Sequence, residues 1–286
     1  MNQFPFVSVL MTAYNRELYI AEAIESVLAS AYINFELIIV DDVSSDNTLT
    51  IIEEYACKDK RIKFFKNEKN LGDYQNRNKA ASYATGEILM TVDSDDMLYP
   101  DSMDKCVSLI NKYPQTRFAI NNDFFSEPVL LDSFEVIKHH FFKNPLLMKG
   151  PGGTIIKRNY FNEIGGYPEK YGPANDMYFN LKAAAKTNVI LIPFEFIFYR
   201  RHEGQEINNS DSYLYNRYKY LRDALHDLNL HLTKEEISWL QKKNKRRFAV
   251  NVSKYFFKTL NFSKTIASIK AAEFTFTDFL EGVFHK

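Results

Sequence analysis

The 286-residue chain has little cysteine: Cys57 and Cys106 are its two. Two cysteines make neither a disulfide framework nor a zinc motif, and the expected compartment is reducing, hence cytoplasmic. Tryptophan occurs once, at Trp239. No apolar run approaches the roughly 20 residues that a membrane-spanning helix needs. Met1–Phe6 lacks the basic and apolar regions of a signal peptide. Charge of neither sign is in excess, with 36 Lys plus Arg against 36 Asp plus Glu, so a globally basic nucleic-acid binder is disfavoured. Several signatures are also missing. Without G-x-G-x-x-G after the first strand, dinucleotide binding is disfavoured; without G-x-x-x-x-G-K-[ST], a P-loop is excluded. Neither G-x-S-x-G nor H-E-x-x-H occurs. Any phosphate bound here must be neutralised by metal and arginine rather than by a glycine-rich loop.

What is present is an ordinary globular composition, 45% apolar and 25% charged. The 24 Phe and 18 Tyr suit a bulky core, a sugar-binding surface or a membrane-surface face. Charge is uneven along the chain. Thr233–Lys286 carries eleven basic and five acidic residues, a local charge of +6 that leaves −6 on residues 1–232.

Apolar runs at Phe6–Met11, Phe35–Val40, Arg61–Lys66, Glu87–Val92 and Arg117–Asn121 read as strands. Between them lie helical patterns. Ile20, Ala23, Ile24, Val27 and Leu28 recur at helical spacing, Asp46 is placed to cap a helix over Thr48–Ala56, Gly72–Ala84 is helix-like, and Pro100 opens a helix to Tyr113. Such alternation predicts parallel β-α-β units with helices on both faces. Residues 124–147 have no clean period, and Lys149–Gly153 reads as a flexible break. Beyond it, Thr154–Lys157 is a strand, Arg158–Ile164 and Asn175–Lys186 are helices, and Val189–Tyr199 is strand broken at Pro193. From about Glu206 the chain is helical.

In open α/β sheets ligands bind beyond the carboxyl ends of the strands, and polar residues stand there: Tyr14, Asp42 and the cluster Asp93-Ser94-Asp95-Asp96. Three carboxylates in four residues repel one another unless a cation sits among them, and oxygen ligands suit Mg²⁺ or Mn²⁺. The cluster is either that cation site or a solvated loop before the next helix. Asp41-Asp42 is either a helix-capping loop or an acceptor for a base or ribose.

Taken in order, these segments resemble family 2 glycosyltransferases with a GT-A fold. The matching pieces are Val7–Asn15, Leu37–Asp46, Asn70-Leu71-Gly72 with Asn76-Arg77-Asn78, and Thr85–Asp96. Weaker pieces are Gly165-Gly166-Tyr167, Asn175-Asp176 and Tyr199–His202. The resemblance covers roughly residues 5–205. It implies a Rossmann-like, mostly parallel sheet with helices on both faces, a catalytic domain over 1–205 and a helical C-terminal extension over 206–286. It further implies a nucleotide-sugar donor, UDP-linked in the usual case, and a divalent cation, Mn²⁺ or Mg²⁺. By the same resemblance, Thr12 and Tyr14 pack around the donor base and Asp42 accepts from it. Gly72, in the turn before Arg77, belongs to the donor site, and Arg77 faces the nucleotide or its phosphates. Asp93 and Ser94 lie against the ribose, Asp95 holds the metal, and His202 lies near the diphosphate or the metal. The acceptor is a glycan or lipid-linked hydroxyl. Its base is an acidic residue at the start of a late helix, here Asp176, although the partner position is Asn175 where the family usually has a second acid.

The processive members' Gln-x-x-Arg-Trp motif is absent, which favours one transfer per binding event. A nucleotidyltransferase would need a Gly-rich, basic loop after the first strand, and Thr12–Asn15 lacks it. A catalytically silent sugar-nucleotide or glycan-binding module would not need Arg77, Asp95 and Asp176 together. In the tail, Phe248, Tyr255, Phe256, Phe257, Leu260 and Phe262 lie among basic residues. Two readings stay open for it: a helical appendage that packs on the catalytic domain or makes a homodimer, or a peripheral contact with the inner face of a membrane.

Overall fold

The computed structural model describes residues 4–203, 205 and 210–284. β1 (Val7–Ala13) leads to α1 (Ile20–Leu28), β2 (Phe35–Asp41) to α2 (Thr48–Lys58), and β3 (Ile62–Lys66) to α3 (Asp73–Tyr83). Next come β4 (Ile88–Thr91), β5 (Met97–Leu98), α4 (Ser102–Lys112), β6 (Phe118–Asn121), β7 (Val129–Leu131) and α5 (Ser133–Phe142). β8 (Thr154–Lys157), α6 (Arg158–Glu163), α7 (Asn175–Ala184), β9 (Val189–Ile192) and β10 (Ile197–Phe198) follow. The chain then runs through α8 (Ser210–Asp227), α9 (Lys234–Thr259), α10 (Phe262–Ala271) and α11 (Phe276–Val283).

Eight strands form one sheet in the order β3-β2-β1-β4-β8-β6-β9-β7, and β5 pairs with β10 in a second. The first four pair in parallel, as the alternation predicts. β8 departs from that pattern: it lies between β4 and β6 and is antiparallel to both. β1 and β2 are buried along almost their whole length, which explains their unbroken apolar runs. Val7, Val9 and Met11 pack with Ile24 of α1, Ile52 of α2 and Cys106 of α4 in the main core. On the opposite face, α3 packs against β1 and β2. Helices therefore cover both faces.

Three local expectations need correction. Pro100 precedes α4 rather than entering it, because Asp101 is the N-cap. The stretch 124–147 contains β7 and α5 despite its irregular pattern; a capping box between Asp132 and Glu135 starts the helix. The expected break at 149–153 is a short 3₁₀ turn over Pro151–Gly153 with Pro151 buried.

The chain packs as two compact units, Met1–Tyr167 with Lys186–Arg201, and Pro168–Ala185 with His202–Lys286. The second unit is discontinuous in sequence: α7, inserted between strands, packs against α8 and belongs with the C-terminal helices. In the second unit a small core joins Tyr218, Phe248, Val252 and Ala272, with the Tyr218 and Phe248 rings stacked at 4.9 Å. No helix among the described residues is long and apolar enough to cross a membrane.

Candidate active site

The carboxyl ends of β1, β2 and β4 carry the polar residues that the sequence singles out. The loops after β1 and β2 are laced together by side chains. Asn15 N–H donates to Ser44 Oγ at 3.0 Å, Arg16 N–H to Thr48 Oγ1 at 2.7 Å and Glu17 N–H to Asp46 Oδ2 at 3.1 Å. Asp46 also accepts from Thr48 N–H at 3.0 Å, so it does serve the start of α2 although Asn47 is the N-cap. The price of this lacing is strain at Val43, a β-branched residue at φ +65°, a region that L side chains avoid.

Asp42 is buried and already bonded. Its Oδ1 accepts from Leu71 N–H and Asn67 Nδ2, both at 2.8 Å, and its Oδ2 from Gly72 N–H at 2.9 Å. Asn67 Nδ2 also reaches Asn76 Oδ1 at 2.9 Å, and Asn76 Nδ2 donates to Val40 O at 3.1 Å. This buried network holds the turn that opens α3, where Gly72 sits at φ +83°, a conformation that glycine adopts at little cost. A carboxylate offers about four acceptor positions; the turn takes two of Asp42's and Asn67 a third. Beside it, Asp41 Oδ1 is buried with no partner.

α3 delivers Arg77, which is 9% exposed. Its Nε donates to Asp73 Oδ1 at 2.8 Å and its Nη1 to Asp93 Oδ1 at 2.6 Å. Burial opposes the guanidinium charge, but Asp73 and Asp93 outweigh it and raise the pKa well above the ordinary value. Ser94 Oγ donates to Thr12 O at 2.7 Å, tying the end of β4 to the end of β1. Tyr14 is half exposed beyond that end.

Two arginines that sequence reading left without a role complete the cluster. Arg16 Nε donates to Asp95 Oδ2 at 3.1 Å. Arg200 donates from Nε to Asp95 O and from its backbone N–H to Asp96 Oδ1, both at 3.0 Å. Arg200 stands inside the Tyr199–His202 piece and Arg16 directly follows Val7–Asn15, but nothing in their spacing says which carboxylate they meet. The repulsion among Asp93, Asp95 and Asp96 is thus met in part by Arg77, Arg16 and Arg200. It is not removed: burial, then the Asp93 charge, pushes Asp96 up to about 7, against the Arg200 N–H.

Asp176 and His202 belong to the second unit. Asp176 lies in the first turn of α7, and its Oδ1 accepts from Met177 N–H at 2.6 Å. Asn175, which departs from the usual acidic pair, is 2% exposed and accepts from Tyr171 N–H at 2.9 Å. A buried amide there satisfies the turn without burying a charge. His202 N–H donates to Gln205 Oε1 at 3.1 Å. His139 and His140 serve the fold. His140 is pushed down to about 4 by burial and then by His139, and its Nδ1 accepts from Leu147 N–H at 3.1 Å.

Residues 8–165, which include Asp42, Arg77 and Asp93–Asp96, match the sequence profile described as glycosyl transferase family 2. The chain belongs to that family. It is 31% identical over 282 residues to the uncharacterized glycosyltransferase MJ1057 of Methanocaldococcus jannaschii, covering 92% of this chain and 87% of that protein. A shorter match, 40% over 106 residues, is to the UDP-Glc:alpha-D-GlcNAc-diphosphoundecaprenol beta-1,3-glucosyltransferase WfgD of Escherichia coli. It spans 37% of this chain and 41% of WfgD. Among solved structures, S. aureus TarS residues 1–349 in complex with UDP-GlcNAc superposes with a TM-score of 0.74 at 22% identity, covering 97% of this chain and 81% of TarS 1–349. The glycosyltransferase therefore has the GT-A fold that its motifs imply.

Proposed function

We propose that this glycosyltransferase moves a sugar from a UDP-linked donor to a hydroxyl of a glycan or lipid-linked acceptor, with inversion and one transfer per binding event, on the cytoplasmic side in surface-polysaccharide synthesis. The observation that carries the reading is the buried, doubly paired Arg77 beside Asp93, Ser94 and Asp95 at the carboxyl ends of β1 and β4 in a chain of this family. The names of WfgD and TarS add support, the first for a UDP-sugar and a lipid-diphosphate acceptor, the second for UDP-GlcNAc.

Each residue then has a task. Thr12 and Tyr14 flank the base, and Asp42, which also holds the Leu71–Gly72 turn, accepts from it through its remaining acceptor position. Asp93 and Ser94 face the ribose. Arg77 is kept charged and fixed, and so opposes the negative charge that grows on the diphosphate as the glycosidic bond breaks. Among the described residues no three His, Cys, Asp or Glu side chains converge as a metal cage. The oxygen donors suit instead a Mg²⁺ or Mn²⁺ ion, which Asp95 would hold, with His202 as the further candidate. When bound, such an ion offsets leaving-group charge. Asp176 takes the proton of the acceptor hydroxyl. The acceptor oxygen attacks the anomeric carbon opposite the diphosphate, and UDP departs with the electron pair of the broken C–O bond.

The test is thermal stability with UDP, GDP, CMP and dTDP, each with and without Mn²⁺. A ligand near 100 times its Kd adds about 2.7 kcal/mol, so UDP with Mn²⁺ should raise the midpoint clearly and Asp95→Asn should abolish the metal-dependent part. If no nucleotide shifts the midpoint, the donor reading fails.

A further inference from the structure

We propose that α11, together with the basic surface of α9 and α10, docks this chain on an anionic lipid surface. The observation is an amphipathic helix turned inside out. Phe276, Phe279, Leu280, Val283 and Phe284 recur at i, i+3, i+4, i+7 and i+8, the spacing of a single helix face. In a globular protein that face is packed inward. Here it is the polar side that packs. Lys245 of α9 meets Asp278 Oδ1 at 2.8 Å and Glu281 Oε2 at 2.5 Å. Gly282 is buried so closely on α9 that a Cβ there would lie 2.8 Å from Arg246 N. The apolar stripe stays at the surface: Phe276 is 74% and Phe284 77% exposed, and Phe279, Leu280 and Val283 between them are 38–46% exposed. The small core of the C-terminal helices takes no residue from α11.

Charge selects the occupant. From Ile237 to Ala272 there are nine Lys and Arg and no Asp or Glu. Arg246, Lys254, Lys258 and Lys270 of this stretch are exposed. The nearest acids on α11, Asp278 and Glu281, are already tied to Lys245. A second copy docking through the same face would bring these like charges together. An anionic headgroup layer is the complement: each Lys or Arg near it adds about 1 kcal/mol, and the aromatic stripe enters the headgroup–acyl boundary. Phe257, Leu260 and Phe262, at the junction of α9 and α10, are exposed as well and extend the apolar surface. Phe248, by contrast, is buried in the core of the helices, so the aromatic face expected from the tail sequence divides between packing and surface.

Sedimentation of the full chain with sucrose-loaded vesicles, without any nucleotide, tests this independently of glycosyl transfer. Phosphatidylcholine vesicles containing phosphatidylglycerol should pull the protein down, and phosphatidylcholine alone should not. Phe276→Ser combined with Phe279→Ser and Phe284→Ser, and separately Lys254→Glu with Lys258→Glu, should each lower the partition at least about tenfold. These positions are exposed, so melting midpoints should be unchanged. Added salt should weaken binding. Equal sedimentation with both vesicle types overturns the proposal. So does a dimer in light scattering that the triple Phe variant converts to monomer, because the face is then an interface between copies.

Discussion

Val43 shows what the loop after β2 costs. Its φ of +65° puts a β-branched side chain where only Gly is at ease, a penalty of roughly 1–2 kcal/mol. Val43→Gly should therefore raise stability by about 1 kcal/mol in chemical denaturation, despite the extra freedom glycine brings to the unfolded chain. A loss would mean that the side chain contributes packing that outweighs the strain. Glu36 makes a second, pH-dependent case. Burial alone would raise its pKa, but Lys63, Ser8 and Thr85 outweigh burial and hold it below the ordinary carboxylate value. Lys63 Nζ is 2.6 Å from Oε2 and Ser8 Oγ 2.6 Å from Oε1. A depressed carboxylate pKa contributes stability above the unfolded value near 4.5, and that contribution disappears as pH falls through the folded value. Glu36→Gln should thus be less stable by about 1–3 kcal/mol at pH 7, and the gap between the two proteins should close under acid. A gap that stays constant into strong acid would contradict the assignment.

The elements are positioned by close approach as much as by apolar pattern. The start of β4 lies against β1 so tightly that a Cβ on Gly86 would meet Ser8 N at 2.6 Å and Phe6 O at 2.7 Å. Backbone cannot yield there as a side-chain tip does. Gly86→Ala should lower stability by roughly 1–3 kcal/mol, read as a lower melting midpoint. Because β4 ends in the acidic cluster, nucleotide affinity should fall as well. α3 illustrates another route to placement. It has almost no apolar stripe; its buried face includes Asn76 and Arg77, and it is held through the Asp42–Asn67–Asn76 network rather than by hydrophobic burial alone. Periodicity signals a helix of this kind faintly, and the Asn70–Gly72 turn before it is the clearer mark.

For the whole molecule, the proposed tasks divide between two chain units. The nucleotide residues and Asp95 belong to the first, the proposed base Asp176 and the cation candidate His202 to the second. Asp176→Asn should therefore leave UDP-dependent stabilisation intact while lowering kcat by about 10²–10⁴-fold. Asp95→Asn should reduce donor binding first. Full transfer activity in Asp176→Asn would remove it as the base.

The sequence by itself determined the alternation of β1 to β4 with α1 to α3, because strands buried on both faces must read as continuous apolar runs and a helix covering one face must repeat every three to four residues. It also placed Tyr14, Asp42 and Asp93–Asp96 beyond strand ends, since each closely follows an apolar run in the chain. Tertiary structure alone decided the partners: Arg16 on Asp95, Arg200 on Asp96, Asp42 on the Leu71–Gly72 turn. Those pairs lie 79, 104 and about 30 positions apart in sequence, and no local period encodes a contact at such separations. It alone decided that β8 runs antiparallel, because a strand's direction depends on which edge it finds. The same holds for the outward apolar face of α11: its spacing marks an amphipathic helix, but only packing reveals that the polar side faces in.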